Sequence, residues 1–172
     1  SEAVMSEEHI ITDSYQRRVS YLRFSVTDRC NLHCVYCRSD GPEEFIPHED
    51  VLRYEEIIRL VRIARSMHVN KVRLTGGEPF ARRDFDKLLL GLRENFPDLN
   101  LRITSNGTLM GPHIPVLKQA RINAVNLSID SFRPETFARV TGHDLLGKVT
   151  ETLDALLDAG IRTKINAVAM RG

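Results

Sequence analysis

The sequence predicts an α/β fold in which parallel strands form an incomplete (β/α) barrel that stops after about five strands. One observation is that apolar, β-branched runs recur along the chain and alternate with amphipathic segments of helical period. A second is spacing: from the second run onward, successive strands begin roughly 25 to 40 residues apart, as is typical of βα units. Ligands of such sheets bind at the carboxyl ends of the strands. The predicted strands are residues 21–28, 69–76, 99–106, 124–130 and 163–170.

The segments between these strands predict helices that each turn one apolar face toward the sheet. A shorter helix is predicted after Pro112 and a further turn near Pro134, because the fixed φ of proline suits a first helical position. Gly160 is placed to end the last helix. The apolar faces consist of Ile57, Leu60, Val61 and Ala64; of Phe85, Leu88, Leu89, Leu92 and Phe96; and of Leu153, Leu156 and Leu157.

The chain divides into a polar leader, residues 1–20, and one core domain, residues 21–172. The leader lacks the apolar core of a signal peptide, so we expect reduced thiols and a cytoplasmic protein. Because the core ends directly after the fifth predicted strand, we expect it to be part of a longer protein. The open edge of that strand allows self-association into a homodimer.

Charge and hydropathy exclude several classes of partner. The chain has 24 Lys and Arg residues against 23 Asp and Glu, a formal net charge of +1. This balance gives no general attraction to nucleic acid or to anionic membranes, so anion binding must depend on locally placed basic side chains. No apolar run approaches the roughly 20 residues that a membrane span needs. We therefore expect neither nucleic acid nor a membrane as partner.

All three cysteines lie in the motif CNLHCVYC, which follows the first predicted strand: Cys30, Cys34 and Cys37. The spacing C-x₃-C-x₂-C lets one compact loop turn three sulfur atoms toward a common point. Three thiolates on a [4Fe–4S] cluster leave one iron without a protein ligand, which is where substrate chemistry takes place. Two other interpretations stay open at this point: a zinc site completed by His33, and three reduced surface cysteines.

The motif TGGEP ends the second predicted strand. Adjacent Gly76 and Gly77 allow positive φ and let a ligand lie close to the backbone. Pro79 keeps Glu78 out of a helical conformation, so its carboxylate is held at the strand end, where it suits the ammonium group of a ligand. The alternative is a plain turn.

With these two motifs the chain resembles the radical S-adenosylmethionine (SAM) enzymes, which carry C-x₃-C-x₂-C after the first strand and a GGE-type sequence after the second. Within them it is most similar to the GTP 3′,8-cyclases of molybdenum cofactor biosynthesis, from about residue 12 to the end. The segments that carry this resemblance are RRVSYLRFSVTDRCNLHCVYC, KVRLTGGEPFARRD, ITSNG, VNLSID and TKINAVAMRG.

The resemblance implies a role for individual residues. Cys30, Cys34 and Cys37 would bind a [4Fe–4S] cluster whose fourth iron is chelated by SAM. The other cofactor-binding residues are Tyr36, Gly76, Gly77, Glu78 and Ser128, and the substrate-binding residues, which would contact GTP, are Arg23, Arg73, Thr104 and Lys164. No side chain is assigned as a catalytic acid or base.

The chemistry that the resemblance implies is a radical lyase reaction. A donor protein reduces the cluster, SAM is cleaved, and the 5′-deoxyadenosyl radical takes the C3′ hydrogen of GTP before the sugar closes on C8 of guanine. Independently of the resemblance, Arg23, Arg73, Thr104 and Lys164 lie on separate predicted strands, and we expect them to converge at one end of the sheet as a polyanion pocket.

The sequence also departs from the family pattern. Arg38 and Ser39 stand where Met-Pro is usual, and there is no fourth cysteine for the second [4Fe–4S] cluster that the family binds in its C-terminal part. We therefore expect this chain alone to be inactive in the complete reaction. The alternatives are a radical SAM enzyme acting on another substrate, such as a peptide or small molecule, and a non-catalytic zinc- or iron-binding module.

Overall fold

The computed structural model describes residues 21–26, 34–35, 45–46, 52–128 and 142–166. Five strands form one parallel sheet in the order β1-β4-β5-β6-β7, and two short strands, β2 and β3, form an antiparallel pair. The strands are β1 (Tyr21–Ser25), β2 (Cys34–Val35), β3 (Phe45–Ile46), β4 (Lys71–Thr75), β5 (Asn100–Ser105), β6 (Ala124–Ser128) and β7 (Thr163–Asn166). The helices are α1 (Tyr54–Ser66), α2 (Phe85–Asn95), α3 (Ile114–Gln119) and α4 (Gly142–Asp158), with 3₁₀ turns at Pro79–Ala81 and Gly111–His113.

The strand order confirms the predicted fold class. Each of the five sheet strands lies beside the next one in sequence, and every neighbouring pair is parallel. Sequential parallel order is that of a (β/α) barrel rather than of a doubly wound sheet, in which the order reverses. The antiparallel pair β2–β3, which places Cys34 opposite Ile46, was not predicted.

The core lies between the sheet and the helices. Residues alternate in burial along β4 and β5, so that Val72, Leu74, Leu101 and Ile103 are fully buried on the helix-covered side. Helix α2 contributes Phe85, Leu88, Leu89 and Leu92 to the same cluster. Burying a side chain of this size stabilises the fold by about 1.5–3 kcal/mol.

The predicted helix faces are correct except at two leucines. Leu60 is 39% exposed and Leu157 is 58% exposed. In α1 the buried residues are Ile57, Val61 and Ala64, which form a stripe narrower than the apolar pattern, and Leu60 lies at its margin. Gly160 ends α4 at a φ of 73°, as predicted. The turn predicted at Pro134 and the leader lie outside the described residues.

A buried arginine joins two loops at the amino edge of the sheet. Arg93 of α2 donates to the carbonyl oxygens of Ala120 (2.7 Å), Arg121 (3.0 Å), Phe96 (3.3 Å) and Pro97 (2.8 Å). Its remaining donor reaches Asn123 Oδ1 at 3.1 Å. The guanidinium group thus connects the α2–β5 loop to the α3–β6 loop.

No helix within the described ranges is both long and apolar enough to cross a membrane.

Candidate functional site

One face of the sheet is polar along its whole height. Successive side chains of a strand point to opposite faces, so the residues that alternate with the buried core share the other face. Strand register then places Arg23 opposite Arg73, Arg73 opposite Arg102, and Asn126 opposite Lys164. We call this side the polar sheet face; it carries Tyr21, Arg23, Lys71, Arg73, Arg102, Thr104, Asn126, Ser128, Lys164 and Asn166.

A cavity of about 480 Å³ opens on this face. Its volume is in the range of ligand-binding pockets. Its lining runs from the first residues of β1 and β4 to the last residues of β6 and β7, and all of the lining side chains are polar or charged. The lining residues are Tyr21, Arg23, Lys71, Arg73, Thr104, Asn126, Ser128 and Asn166.

Four residues predicted from the sequence line this cavity: Arg23, Arg73, Thr104 and Ser128. Lys164 shares the face by register but is exposed on β7 and does not line the cavity. The predicted arrangement at one sheet end was wrong, because Arg23 and Arg73 face each other midway along their strands. The cavity therefore extends along the strands rather than across their ends.

The polar sheet face is cationic. The described strands place Arg23, Lys71, Arg73, Arg102 and Lys164 on it and no carboxylate. Burial lowers the pKa of Arg73, and the neighbouring charges of Arg102 and Arg23 lower it further. The Arg73 guanidinium donates to Thr104 Oγ1 at 3.3 Å, so a neutral side chain orients it. Several cations held together on one face favour the binding of an anion with several charges.

Glu78 lies at the carboxyl edge of β4, where it is 8% exposed. Its carboxylate accepts hydrogen bonds from Ser105 Oγ, 2.8 Å from Oε1, and from the backbone N–H of Asn106, 2.7 Å from Oε2. The N–H of Phe80 lies 3.3 Å from Oε1, so the side chain also caps the first 3₁₀ turn. Burial raises the pKa of Glu78, and these hydrogen bonds oppose the rise.

The two glycines before Glu78 keep the backbone accessible. Gly76 has a φ of 151°, a conformation that glycine favours, and Gly77 is exposed. Ser128 ends β6 at the same edge of the sheet and lines the cavity. This edge therefore carries a carboxylate, exposed glycine backbone and a hydroxyl, and of these the Ser128 hydroxyl lines the cationic cavity.

The cysteine motif is only partly described. Cys34 lies in β2, while Cys30, Cys37 and Tyr36 are outside the described residues. Within the described part of the chain, no three His, Cys, Asp or Glu residues form a group that could hold a metal ion. The cluster site stays a prediction from the sequence, and the donor set itself suits iron, because thiolates are the usual ligands of iron–sulfur clusters.

Sequence reasoning missed five residues of the polar sheet face: Tyr21, Lys71, Arg102, Asn126 and Asn166. The signal that could have found most of them is the period of two. Tyr21 and Lys71 lie two residues before Arg23 and Arg73, Asn126 two before Ser128, and Asn166 two after Lys164. A strand that places one functional side chain on a face places its next-but-one neighbours there too.

Several known proteins are similar to the chain, GTP 3′,8-cyclases among them. A GTP 3′,8-cyclase of Nautilia profundicola is 42% identical over 163 residues, which cover 95% of this chain and 51% of that protein. One of Pelotomaculum thermopropionicum is 41% identical, covering 93% and 50%. The chain spans about half the length of the curated relatives it matches. The crystal structure of methylornithine synthase matches with a TM-score of 0.55 and 17% identity over 84% of this chain and 43% of that one, which supports the fold.

The family model that matches is the radical SAM superfamily, over residues 24–172. Membership implies a [4Fe–4S] cluster and SAM as cofactors. The carboxylate, accessible glycine backbone and hydroxyl at the sheet edge fit the amino-acid part of SAM. A match over most of the sequence, together with five parallel strands in sequential order, leads to one conclusion: the chain belongs to the radical SAM superfamily.

Proposed function

We propose that this chain forms the SAM-binding and triphosphate-binding part of a GTP 3′,8-cyclase, the enzyme that begins molybdopterin synthesis. The similarity to proteins of that name extends over nearly the whole chain. A radical SAM protein that acts on another substrate would need no particular charge on its polar sheet face. A GTP-binding one needs several cations there.

The observation that carries the proposal is the polar sheet face, on which strand register brings five cations together. A nucleoside triphosphate brings several negative charges in a row, and arginine binds phosphate oxygens in a bidentate fashion. In this role Arg23 and Arg73 bind the phosphates, Thr104 orients Arg73, and Lys164 adds a charge at the margin. Lys71, the first residue of β4, lines the same cavity and joins them.

The cofactors occupy the carboxyl edge in this proposal. Cys30, Cys34 and Cys37 hold the cluster, Glu78 accepts from the ammonium group of SAM, and Tyr36, Gly76, Gly77 and Ser128 complete its site. When bound, the cluster and SAM supply one-electron radical chemistry. The chain's own residues fix the phosphates on the polar sheet face, which orients the rest of the nucleotide.

The partners belong to the same proposal. The reaction needs an electron donor protein, and the cytoplasm supplies both that donor and GTP. We also propose that a second copy of the chain docks at the outer edge of β7, where Ile165 and the neighbouring Leu157 of α4 are exposed.

Titration calorimetry with GTP, inorganic triphosphate and guanosine tests the substrate part. We expect GTP and triphosphate to bind with similar affinity and guanosine to bind much more weakly, and we expect both anions to weaken as salt is raised. An exposed α1 substitution, Arg59→Ala, serves as a control for net charge. Failure of both anions to bind at low salt would contradict a GTP-binding role.

Anaerobic reconstitution with iron and sulfide tests the cofactor part. We expect about four irons per chain and a reduced-cluster electron paramagnetic resonance signal that changes when SAM is added. Substitution of Cys34 by alanine should abolish both. A colourless protein that binds zinc instead would support a structural metal module, and a cluster indifferent to SAM would contradict the SAM site.

A further inference from the structure

Ser105 connects two loops at the carboxyl edge of the sheet. Its side chain is 2% exposed, and its oxygen lies 2.8 Å from Oε1 and 3.0 Å from Oε2 of Glu78. The same oxygen accepts a hydrogen bond from the backbone N–H of Gly107 at 3.0 Å. Ser105 is thus in contact both with the carboxylate that ends β4 and with the turn that follows β5.

The direction of these bonds is fixed. Because the Gly107 N–H donates to Ser105 Oγ, the hydroxyl proton is free to point at Glu78. The Asn106 N–H approaches the same carboxylate from the neighbouring residue, at 2.7 Å. Farther along the turn, the buried hydroxyl of Thr152 in α4 donates to the Gly107 carbonyl at 2.9 Å. The turn is therefore fixed by the hydrogen bond from Thr152 of α4, while its Asn106 N–H binds the carboxylate of Glu78.

The carboxylate keeps capacity for one more donor. An ionised carboxylate has about four acceptor positions. Three donors of the chain, from Ser105, Asn106 and Phe80, occupy it in the described structure. A ligand ammonium group that binds here must meet the remaining acceptor position, and the three fixed donors decide where that position points.

We propose that Ser105 is a positioning residue for cofactor binding: its hydroxyl, oriented by Gly107, sets the direction in which Glu78 meets the ammonium group of an amino-acid cofactor. This inference rests on the proposed function, in which that cofactor is SAM. It assigns to a buried serine of β5, which does not itself contact the cofactor, a share of the selectivity for a ligand ammonium group.

A matched pair of ligands tests this role. S-adenosylhomocysteine and its desamino analogue differ only in the ammonium group, and their dissociation constants are measured by equilibrium dialysis on the reconstituted protein. We expect Ser105→Ala to weaken S-adenosylhomocysteine about tenfold and the desamino analogue by less than about twofold, as is usual when a supporting hydrogen bond is lost. Ser105→Thr, which keeps the hydroxyl, should restore the preference.

Thr152→Val is the structural control. It removes the buried α4 hydroxyl that donates to the same turn and leaves the hydrogen bonds of Glu78 in place. It should leave the ratio of the two affinities unchanged. If Ser105→Ala does not fold, Ser105→Cys is measured instead, because its thiol fills similar space and is a weak donor. Equal weakening of both ligands, or of neither, overturns the positioning role. If the wild-type protein itself does not prefer S-adenosylhomocysteine, the Glu78 contact of the proposed function fails as well.

Discussion

Arg93 of α2 and Arg73 of β4 have opposite surroundings. Arg93, near the amino edge, is 7% exposed and meets four backbone carbonyls and one amide oxygen. Arg73, on the polar sheet face, donates within the described residues to Thr104 alone and faces Arg23 and Arg102 across the strands. Burial lowers the pKa of both guanidinium groups, and further cations add to the effect in each case.

The difference separates an arginine that stabilises the fold from one that binds. All five N–H groups of Arg93 donate to oxygen atoms of the chain, so its guanidinium group needs no ligand to be satisfied. Within the described residues the Arg73 guanidinium has one acceptor, and its like-charged neighbours favour the binding of an anion beside it, in line with the proposed function. The acceptors around an arginine, rather than its burial, thus indicate whether it stabilises the fold or binds a ligand.

The largest effect is expected from Arg93→Ala. The substitution removes five hydrogen bonds at the amino edge. Phe96 O and Asn123 Oδ1 keep backbone donors, from Leu99 and Leu101, whereas a buried acceptor left unpaired is unfavourable by about 1–3 kcal/mol. Since water can reach some of them, we expect a loss of about 3 kcal/mol in the free energy of unfolding. Urea denaturation measures it, and triphosphate affinity of the folded fraction should be unchanged.

Arg93→Lys serves as the graded control. A lysine places three donors at one point and cannot span both loops, so we expect a loss intermediate between wild type and alanine. If alanine and lysine are equally stable, the guanidinium is not what joins the loops.

The second effect is expected from Arg73→Ala, and on binding instead of stability. Hydrogen bonds to a charged group contribute about 1.5–3 kcal/mol, so affinity for inorganic triphosphate should fall at least about tenfold. The free energy of unfolding should stay the same or rise, because repulsion from Arg23 and Arg102 is removed. Calorimetric titration and urea denaturation of the same preparation give both numbers. A large loss of stability with unchanged affinity would mean that Arg73, like Arg93, stabilises the fold and does not bind the ligand.

The third effect concerns the buried carboxylate of Glu78 at the carboxyl edge of the sheet. Glu78 has a raised pKa in the folded protein, so its contribution to stability is present below its ordinary pKa and is lost as the pH rises through the raised value. Glu78→Gln removes this titration. The variant should be less stable than wild type at low pH, because an NH₂ group in place of one carboxylate oxygen cannot accept the hydrogen bond from Asn106 or Phe80. The gap should narrow as the pH rises through the raised pKa of Glu78. A gap that widens with pH would contradict the raised pKa.

Local patterns predicted the sheet well. The apolar runs around Val72, Ile103 and Val125 predicted the strands, and their spacing of roughly 25 to 40 residues predicted the parallel order. Both signals can be seen in the sequence without knowing which distant residues come into contact. The pair β2–β3 was missed since each strand is only two residues long and carries no alternation. Leu60 was placed in the core because an apolar face shows which residues can be buried, not how wide the contact is.

The site divides in the same way. Arg23, Arg73 and Thr104 were found through motifs, but the role of Ser105 depends on a bond across 27 residues of sequence that no local pattern contains. The ligand contact of Glu78 was predicted from the charge of its carboxylate and its position at a strand end. Its three donors in the folded chain are a product of tertiary structure, and they decide how much of that chemistry is left for a ligand.

The smallest effect is expected from Lys164→Ala, where sequence and structure differ most. The sequence places Lys164 with Arg73 as a phosphate contact, while the structure puts it on the outermost described strand, exposed and away from the cavity lining. An exposed charge is screened by water and salt, so we expect triphosphate affinity to fall by only about twofold at moderate ionic strength. Calorimetry at low and moderate salt separates the possibilities. A tenfold loss that persists at moderate salt would mean that Lys164 contacts the ligand directly, and the cationic face would then extend to β7 as a binding surface.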